Sequence, residues 1–550
     1  MTLTSEHGRF HHPGVSRIDY KTLDMDRVLT AFLARLWHRG LPSRLSRAGE
    51  LDVDVFVELF LNHDDVFQNF DKDTATRWAS THLLDMVNRG RASEAVAGPR
   101  PLHGLAYRLR NSRKSRPYGA DEQLYEMLFG QPNNVLEELR DFFFSDVDPT
   151  TGEIEPGPDT DVETQALLHL VSKTYTHVAD RPDESKPRKP YPALCGEPAR
   201  LLAEDVMKLM HHQGHMPRTV LVDYLKVLFS FHLALYHLRL IKLLPRAVEA
   251  RAVDPSCAKG HTGADTADRC PYRVRLFVAA DGAPDAAAAP LAQGSAELWY
   301  RRIPAFVQAT YAVKKLDEFA EHLVRKRRQL QYPQGRSYFS PAEVLALLGK
   351  SRRSERDRFF GQRLNGVLDD EDDLPAEMQR IVDLKLDPFD EYIESLMHYK
   401  GRYHRGYIVD CLDSLLLKNR PGALLAQPRG MRGTRRFVLD ARLLEVLLQV
   451  ILLRPDPATG HWRTAPMRVD EFLEGLRLRY GLYVDRLPKG DGFTGAQLDD
   501  QAALRSNSAA FLHRLREIGY YQDMSDAYLT QTITPRYAIG TPAGQEVRTR

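Results

Sequence analysis

Thr219–Leu244 reads TVLVDYLKVLFSFHLALYHLRLIKLL, the most apolar long stretch of the chain, and its reading decides the fold. A run of this kind is either a membrane span or a helix buried in protein. Asp223, Lys226, His232, His237, Arg239 and Lys242 interrupt it. Ionisable groups at that density oppose insertion into hydrocarbon, so the stretch predicts a core helix. Around it, residues 197–250 form a helical unit that no membrane has to cover.

Outward from this helix the same period dominates. Asp24–Trp37 places Val28, Leu29, Phe32, Leu33 and Leu36 at helical spacing, with Gly40 and Pro42 as stops. Val53–Leu61, Thr74–Val87 and Asp121–Phe129 carry similar stripes. PTTGEIEPGP (149–158) reads as a polar turn between helices, and the Pro- and charge-rich 180–192 as an exposed connection. YRVRLFVA (272–279) alternates polar and apolar residues and is the best isolated strand. The Ala- and Pro-rich 283–293 after it reads as a linker. A helix follows over about 297–330, and SPAEVLALLG (340–349) frames a short one with a Ser N-cap and a Pro at N1.

The last 110 or so residues hold three helices. Asp440 caps one carrying Leu443, Leu444, Leu447, Leu448, Ile451 and Leu452; Gly481 stops a second with Phe472, Leu473 and Leu476; Gly519 stops a third with Phe511, Leu512, Leu515 and Ile518. TQTITPRYAI (530–539) then offers β-branched and aromatic residues around Pro535, as an edge strand or wing does. The expectation is a mainly α, multidomain chain with a small β-containing middle segment and a C-terminal winged-helix-like module. At 550 residues it exceeds one core. Boundaries are expected at 1–150, 151–255, 256–296, 297–425 and 426–550.

Composition limits the function classes. Hydrophobic content of 43% and charged content of 27% are those of a globular protein. The 76 basic and 74 acidic residues leave a net charge of +2, so any attraction to nucleic acid must come from local clusters. Four scattered cysteines make no disulfide framework, and MTLTSEHGRFHHPG lacks the apolar core of a signal peptide. A cytoplasmic protein without a membrane partner is expected.

Three acid-free basic clusters stand out. RPLHGLAYRLRNSRKSR (100–116) contains Arg108, Arg110, Arg113, Lys114 and Arg116. HLVRKRRQLQYPQGR (322–336) contains Arg325, Lys326, Arg327 and Arg328. QPRGMRGTRR (427–436) contains Arg429, Arg432, Arg435 and Arg436 in a Gly-containing loop. Surface cations of this kind neutralise phosphates, although a solvated face has the same composition. On the third C-terminal helix, Arg505, Asn507, His513, Arg514 and Arg516 lie off the apolar stripe, where Arg suits guanine and Asn suits adenine in a major groove.

Metal chemistry has one local candidate. In SCAKGHTGADTADRCP, Cys257, His261 and Cys270 offer two thiolates and an imidazole, three corners of a structural Zn²⁺ site. Cys195, His212 or His215 is available as a fourth. His211 and His215 in HHQGH lie one helical turn apart, but Gly214 and Pro217 end any helix there. DDEDD (369–373) suits a solvated loop better than a two-metal nuclease, because consecutive carboxylates point apart. No P-loop, GxSxG elbow, HExxH, kinase or Rossmann signature occurs.

The C-terminal third also resembles known proteins. LDSLLLKNRPGALLAQPRGMRGTRRFVLDARLLEVLLQVILL (412–453), MRVDEFLEGLRLRYGLYVD (467–485) and FLHRLREIGYYQDMSD (511–526) are similar to accessory subunits of multigene bacterial anti-phage defence islands, such as the methylation-associated defence system. The resemblance implies defence-system partner proteins and a place beside DNA-acting enzymes. The functional expectation is a non-catalytic, duplex-DNA-associated or scaffolding component of a multiprotein complex. The alternatives are a metal-dependent nuclease or other hydrolase acting on nucleic acid, and a pure protein-interaction adaptor.

Overall fold

A computed structural model describes residues 6–45, 52–62, 68–69, 71–148, 153–155, 157, 160–174, 180–258, 270–327, 329–368, 375–428, 430, 434–493, 497–521 and 532–540. It is 55% helical, and among the described residues the strands come only in pairs. The mainly α expectation stands.

The Thr219–Leu244 pattern becomes the middle of a 33-residue helix, Arg218–Ala250. It is long and apolar enough to cross a membrane, but 94% of its most apolar window is buried inside the protein. The helices Glu197–Met210, Ile303–His322, Pro388–Leu415 and Ala441–Leu452 pack around it. One cluster of buried apolar side chains runs from Phe10 to Ile533.

The ionisable groups that argued against a membrane explain how this helix is held. Asp223 pairs with Lys226 on the same helix, and the others meet partners from different parts of the chain. Lys226 reaches Asp26 at 2.7 Å, and the Ser230 hydroxyl donates to the Leu415 carbonyl at 2.8 Å. His237 contacts Ser16 at 2.9 Å, and Lys242 pairs with Asp491 at 2.6 Å. Arg239 pairs with Glu197. His232 Nε2 meets Asp205 at 2.8 Å, and the same carboxylate accepts from Tyr480 at 2.8 Å and Arg479 Nε at 2.7 Å. Buried polar groups are tolerable only when paired, and here the pairing also fixes which segments may pack on the helix.

Local stop and start signals behave as read. Asp24 caps Met25–Trp37, Ser340 and Glu343 form a capping box, and Asp440 caps Ala441–Leu452. Gly481 ends Val469–Tyr480 at φ +71°, and a Cβ there would collide with the Val274 carbonyl. That close approach matters. It seats Leu276–Phe277 beside Leu482–Tyr483 as a parallel pair, and Ala279 bridges to Val438. The expected strand over 272–279 is therefore shorter than its pattern, and its partners lie in the C-terminal third. The expected linker over 283–293 also differs, because a helix begins at Ala289. Pro290 in its first turn sacrifices no hydrogen bond, and Ala289, Ala292 and Ala296 are buried. Downstream, Thr532–Ile533 pairs antiparallel with Met467–Arg468, which precedes the helix Val469–Tyr480.

Candidate nucleic-acid interface

The structure sorts the sequence-derived cations into three groups. In the first cluster, Arg113 and Arg116 are exposed and Lys114 is half-buried. Arg108 instead lies 3.8 Å from Asp180, and burial lowers the pKa of half-buried Arg110. Arg108 lies within the turn Gly104–Leu109 and Arg110 directly after it, so the expectation of phosphate contact is corrected for these two. In the second cluster Arg325 is exposed, 3.9 Å from Glu321. The side chains of Lys326 and Arg327, and all of Arg328, lie outside the described residues, as do Arg429 and Arg432.

The end of the third cluster is turned inward. Arg435 grips Asp413 through Nε at 2.9 Å and Nη2 at 2.8 Å, and its guanidinium lies 4.9 Å from the Tyr300 ring centroid. Burial works to raise the Asp413 pKa, but the Arg435, Lys418 and Tyr300 hydrogen bonds bring it below the usual carboxylate range. Arg436 is 5% exposed and donates to the carbonyls of Gly282 and Ala283. Asn507 is corrected in the same way. It is 1% exposed, donates to Val278 and Val484, and accepts from the Ala280 N–H at 2.8 Å. The reason is the middle strand, a second packing partner that helical periodicity does not reveal. Arg514 pairs with Glu517 at 3.0 Å, while Arg505 stays exposed.

A cleft of about 580 Å³ lies between these elements, lined by Arg420, Arg442, Arg514, Asp440 and Glu445. Its three arginines pair with Asp24, Glu445 and Glu517, so its field is largely neutralised.

A further basic face was not among the sequence candidates. HYKGRYHRGYIV (398–409) lies within the helix Pro388–Leu415 and contains no acid. Its inner side is anchored by Ile408 and by His404, which stacks on Phe10 at 4.4 Å and whose Nδ1 hydrogen-bonds with the Tyr311 hydroxyl at 2.7 Å. Burial, helped by Lys400 and Lys21, pushes His404 down to about 4, so it is neutral at pH 7. Outward stand Arg402, Tyr403 and Arg405, all exposed, with Lys400 and Tyr407 half-buried. Lys21 lies 3.5 Å over the Tyr407 ring, and the Tyr403 and Tyr407 hydroxyls meet at 2.8 Å. Among the described residues no carboxylate pairs with Lys21, Lys400, Arg402 or Arg405. Asp410 is the acid whose charge reaches Tyr407. The acid-free run was a legible signal. Its three Lys and Arg residues are spaced along a helix instead of adjacent in sequence, and Lys21 joins them from elsewhere in the chain, which hid the face from a search for dense clusters.

Of the metal candidates, His261 and the run 369–373 lie outside the described residues. His212 is buried, its ring meets the Lys208 carbonyl at 3.1 Å, and burial lowers it to about 4. The Glu197–Met210 helix ends before His211, as Gly214 and Pro217 led us to expect. Cys257 and Cys270 are buried, and Cys195 is buried beside Cys257. Among the described residues, no group of three or more His, Cys, Asp or Glu side chains is placed to hold a metal ion.

Taken together these features define a mainly helical protein, organised on one buried helix, with an unneutralised tyrosine-bearing basic face. A family model described as methylation-associated defense system protein MAD7 matches residues 5–537. The chain belongs to that family, and the relationship spans nearly its whole length, well beyond the C-terminal third. No curated protein matches the chain.

Proposed function

We propose that this chain is a non-catalytic, nucleic-acid-associated component of a methylation-associated anti-phage defence assembly in the bacterial cytoplasm, working beside other defence proteins. The observation that carries the reading is the outer face of Pro388–Leu415, where Lys21, Lys400, Arg402 and Arg405 lack carboxylate partners among the described residues. Cations without counter-charges, held on a rigid helix beside an exposed tyrosine, suit a phosphate backbone and its bases. Arg113, Lys114, Arg116 and Arg505 are further cations that phosphate could meet.

A winged-helix-like order supports a supplementary contact. Two helices, a third from Leu498 to Glu517 and a closing strand follow one another, with a short strand pairing across to the last. On the third helix Arg505, His513 and Arg516 are exposed while Asn507 is buried, so backbone contact suits it better than base reading.

Fluorescence anisotropy with labelled duplex and single-stranded oligonucleotides at low salt tests the proposal. The wild-type chain is expected to bind, with affinity falling as salt rises. Arg402→Glu with Arg405→Glu is expected to weaken binding at least tenfold and to flatten the log–log salt slope by about 2, roughly one unit per lost phosphate contact. Intact binding in the double variant refutes the face. No binding by the wild-type chain at low salt, alone or with its defence partners, refutes the nucleic-acid reading and leaves a protein adaptor.

A further inference from the structure

The pair between Lys242 of the central helix and Asp491 belongs to a cluster in which cations outnumber carboxylates. Asp491 sits in a turn after Leu482–Tyr483, and Gly490, Asp491 and Gly492 all take left-handed φ values, +81°, +60° and +99°. The turn delivers one carboxylate, its side chain 7% exposed, to cations from three other segments. Lys242 Nζ and Arg302 Nη2 both reach Asp491 Oδ1, at 2.6 and 3.2 Å. Arg275 Nη1, just ahead of Leu276–Phe277, stands 3.7 Å from Oδ2. Arg302 immediately precedes the helix Ile303–His322, and its guanidinium lies 4.7 Å from the ring centroid of buried Trp299.

Asp491 fits this cluster poorly. Its Oδ2 is buried without a hydrogen bond, and Arg302 Nη1 is buried without an acceptor. Among the described residues no second carboxylate pairs with Lys242 or Arg302, so one negative charge answers two positive ones before Arg275 is counted. Burial lowers the Lys242 pKa by more than Asp491 raises it, and the Arg302 and Arg275 charges add to the lowering. Sheltered cations and unmet donors both call for a larger anion with more oxygens.

We infer that Lys242, Arg275 and Arg302 form a binding site for a phosphate group, and that the Asp491 carboxylate is its built-in competitor. A phosphate near neutral pH carries between one and two negative charges and three or more acceptor oxygens. It can take both arms of the Arg302 fork together with the Lys242 ammonium, which the Oδ1 atom alone cannot. The glycines on either side of Asp491 let the turn swing away at little steric cost. The Lys242 and Arg302 side chains, 16% and 27% exposed, keep the cluster open toward solvent once it does. The site is independent of the basic face on Pro388–Leu415.

Isothermal titration calorimetry of the full chain with inorganic phosphate, at constant ionic strength made up with chloride, tests this. Saturable binding at a single site is expected. Asp491→Asn keeps the shape of the turn and removes the competing charge, so it should tighten phosphate binding by about tenfold or more. Arg302→Gln should abolish binding in either background, whereas Arg402→Glu with Arg405→Glu should leave it unchanged. A parallel titration with ATP distinguishes the sources: tighter binding than inorganic phosphate assigns the site to a nucleotide, and equal or weaker binding assigns it to free phosphate. Equal phosphate affinity with and without the Asp491 charge overturns the inference. So does binding that survives Arg302→Gln, or no saturable heat from either chain. If Asp491→Asn fails to fold, the native chain decides, through phosphate binding that Arg302→Gln removes or through its absence.

Discussion

Replacing Asp205 by Asn removes one negative charge from the centre of the molecule and leaves its shape nearly unchanged. Asp205 is fully buried and accepts from His232, Arg479 and Tyr480, which come from the central helix and from Val469–Tyr480. Burial alone would raise its pKa. Arg479 first, then His232, overcome that and bring it down to about 2 from an ordinary 3.8. That depression corresponds to roughly 2–3 kcal/mol of preference for the ionised form in the folded state. Breaking a buried pair also strands its partner, which typically costs about 3–5 kcal/mol, and Glu204 at 3.1 Å from Arg479 recovers part of that. Asp205→Asn should therefore lower stability at pH 7 by about 3 kcal/mol. The sign with pH follows from the depressed value: the contribution is complete above the unfolded pKa near 3.8 and disappears as pH falls through 2. Urea unfolding followed by far-UV circular dichroism, run on both proteins from pH 7 downward, measures it. A loss under about 1 kcal/mol at pH 7, the scale of an ordinary surface substitution, refutes the reasoning. So does a gap between the two proteins that is as wide at pH 2 as at pH 7.

Two further outcomes follow from buried groups elsewhere. His212 and His237 are both lowered to about 4, chiefly by burial, so the unfolded chain takes up their protons first as pH falls. Stability should then decline between pH 6.5 and 4 by about 1.4 kcal/mol per pH unit for each histidine, and His237→Gln should flatten that slope in urea titrations. Asn507→Ala strands the Ala280 N–H and the carbonyls of Val278 and Val484, at a cost of about 2–3 kcal/mol. Thermal unfolding will register that loss, and anisotropy should find nucleic-acid affinity unchanged; weaker binding at preserved stability would return Asn507 to the interface.

What the sequence made legible is local. Ser340, Asp440 and Gly481 act within a few residues of themselves, and each marks the boundary it was read to mark. The central helix was legible for the same reason, since its charges could be weighed against burial in lipid without knowing their partners. Asn507 and Arg436 were misread because both look solvent-facing on their own element, yet each is satisfied by backbone from the 278–283 segment more than 150 residues away. A helical wheel has no term for a partner of that kind. The basic face escaped through the opposite error. Its cations are dilute in sequence and become a surface only when the Pro388–Leu415 helix projects them to one side and Lys21 joins from near the N-terminus.

This division between local and distant bears on whether the last 125 residues can stand alone. The helix Ala441–Leu452 buries Leu443, Leu444, Leu447 and Leu448, and it packs on the central helix and on Glu197–Met210. Leu482–Tyr483 completes its ladder with Leu276–Phe277, and Asn507 makes two of its three hydrogen bonds to Val278 and Ala280 just beyond that strand. Excising residues 426–550 would expose four leucines at about 2 kcal/mol each, close to the entire stability of a typical domain. It would also strand the Asn507 amide and the Arg479 guanidinium, whose partner Asp205 stays behind. The fragment is therefore expected to be aggregated or molten, with near-ultraviolet circular dichroism lost and helical signal partly kept. Co-expression with residues 1–425 should restore a soluble complex, because the missing surfaces are then supplied in trans. A monomeric 426–550 fragment with a cooperative unfolding transition would show that the C-terminal module carries its own core, and that the pairings across the Asp205 and Asn507 clusters only dock it.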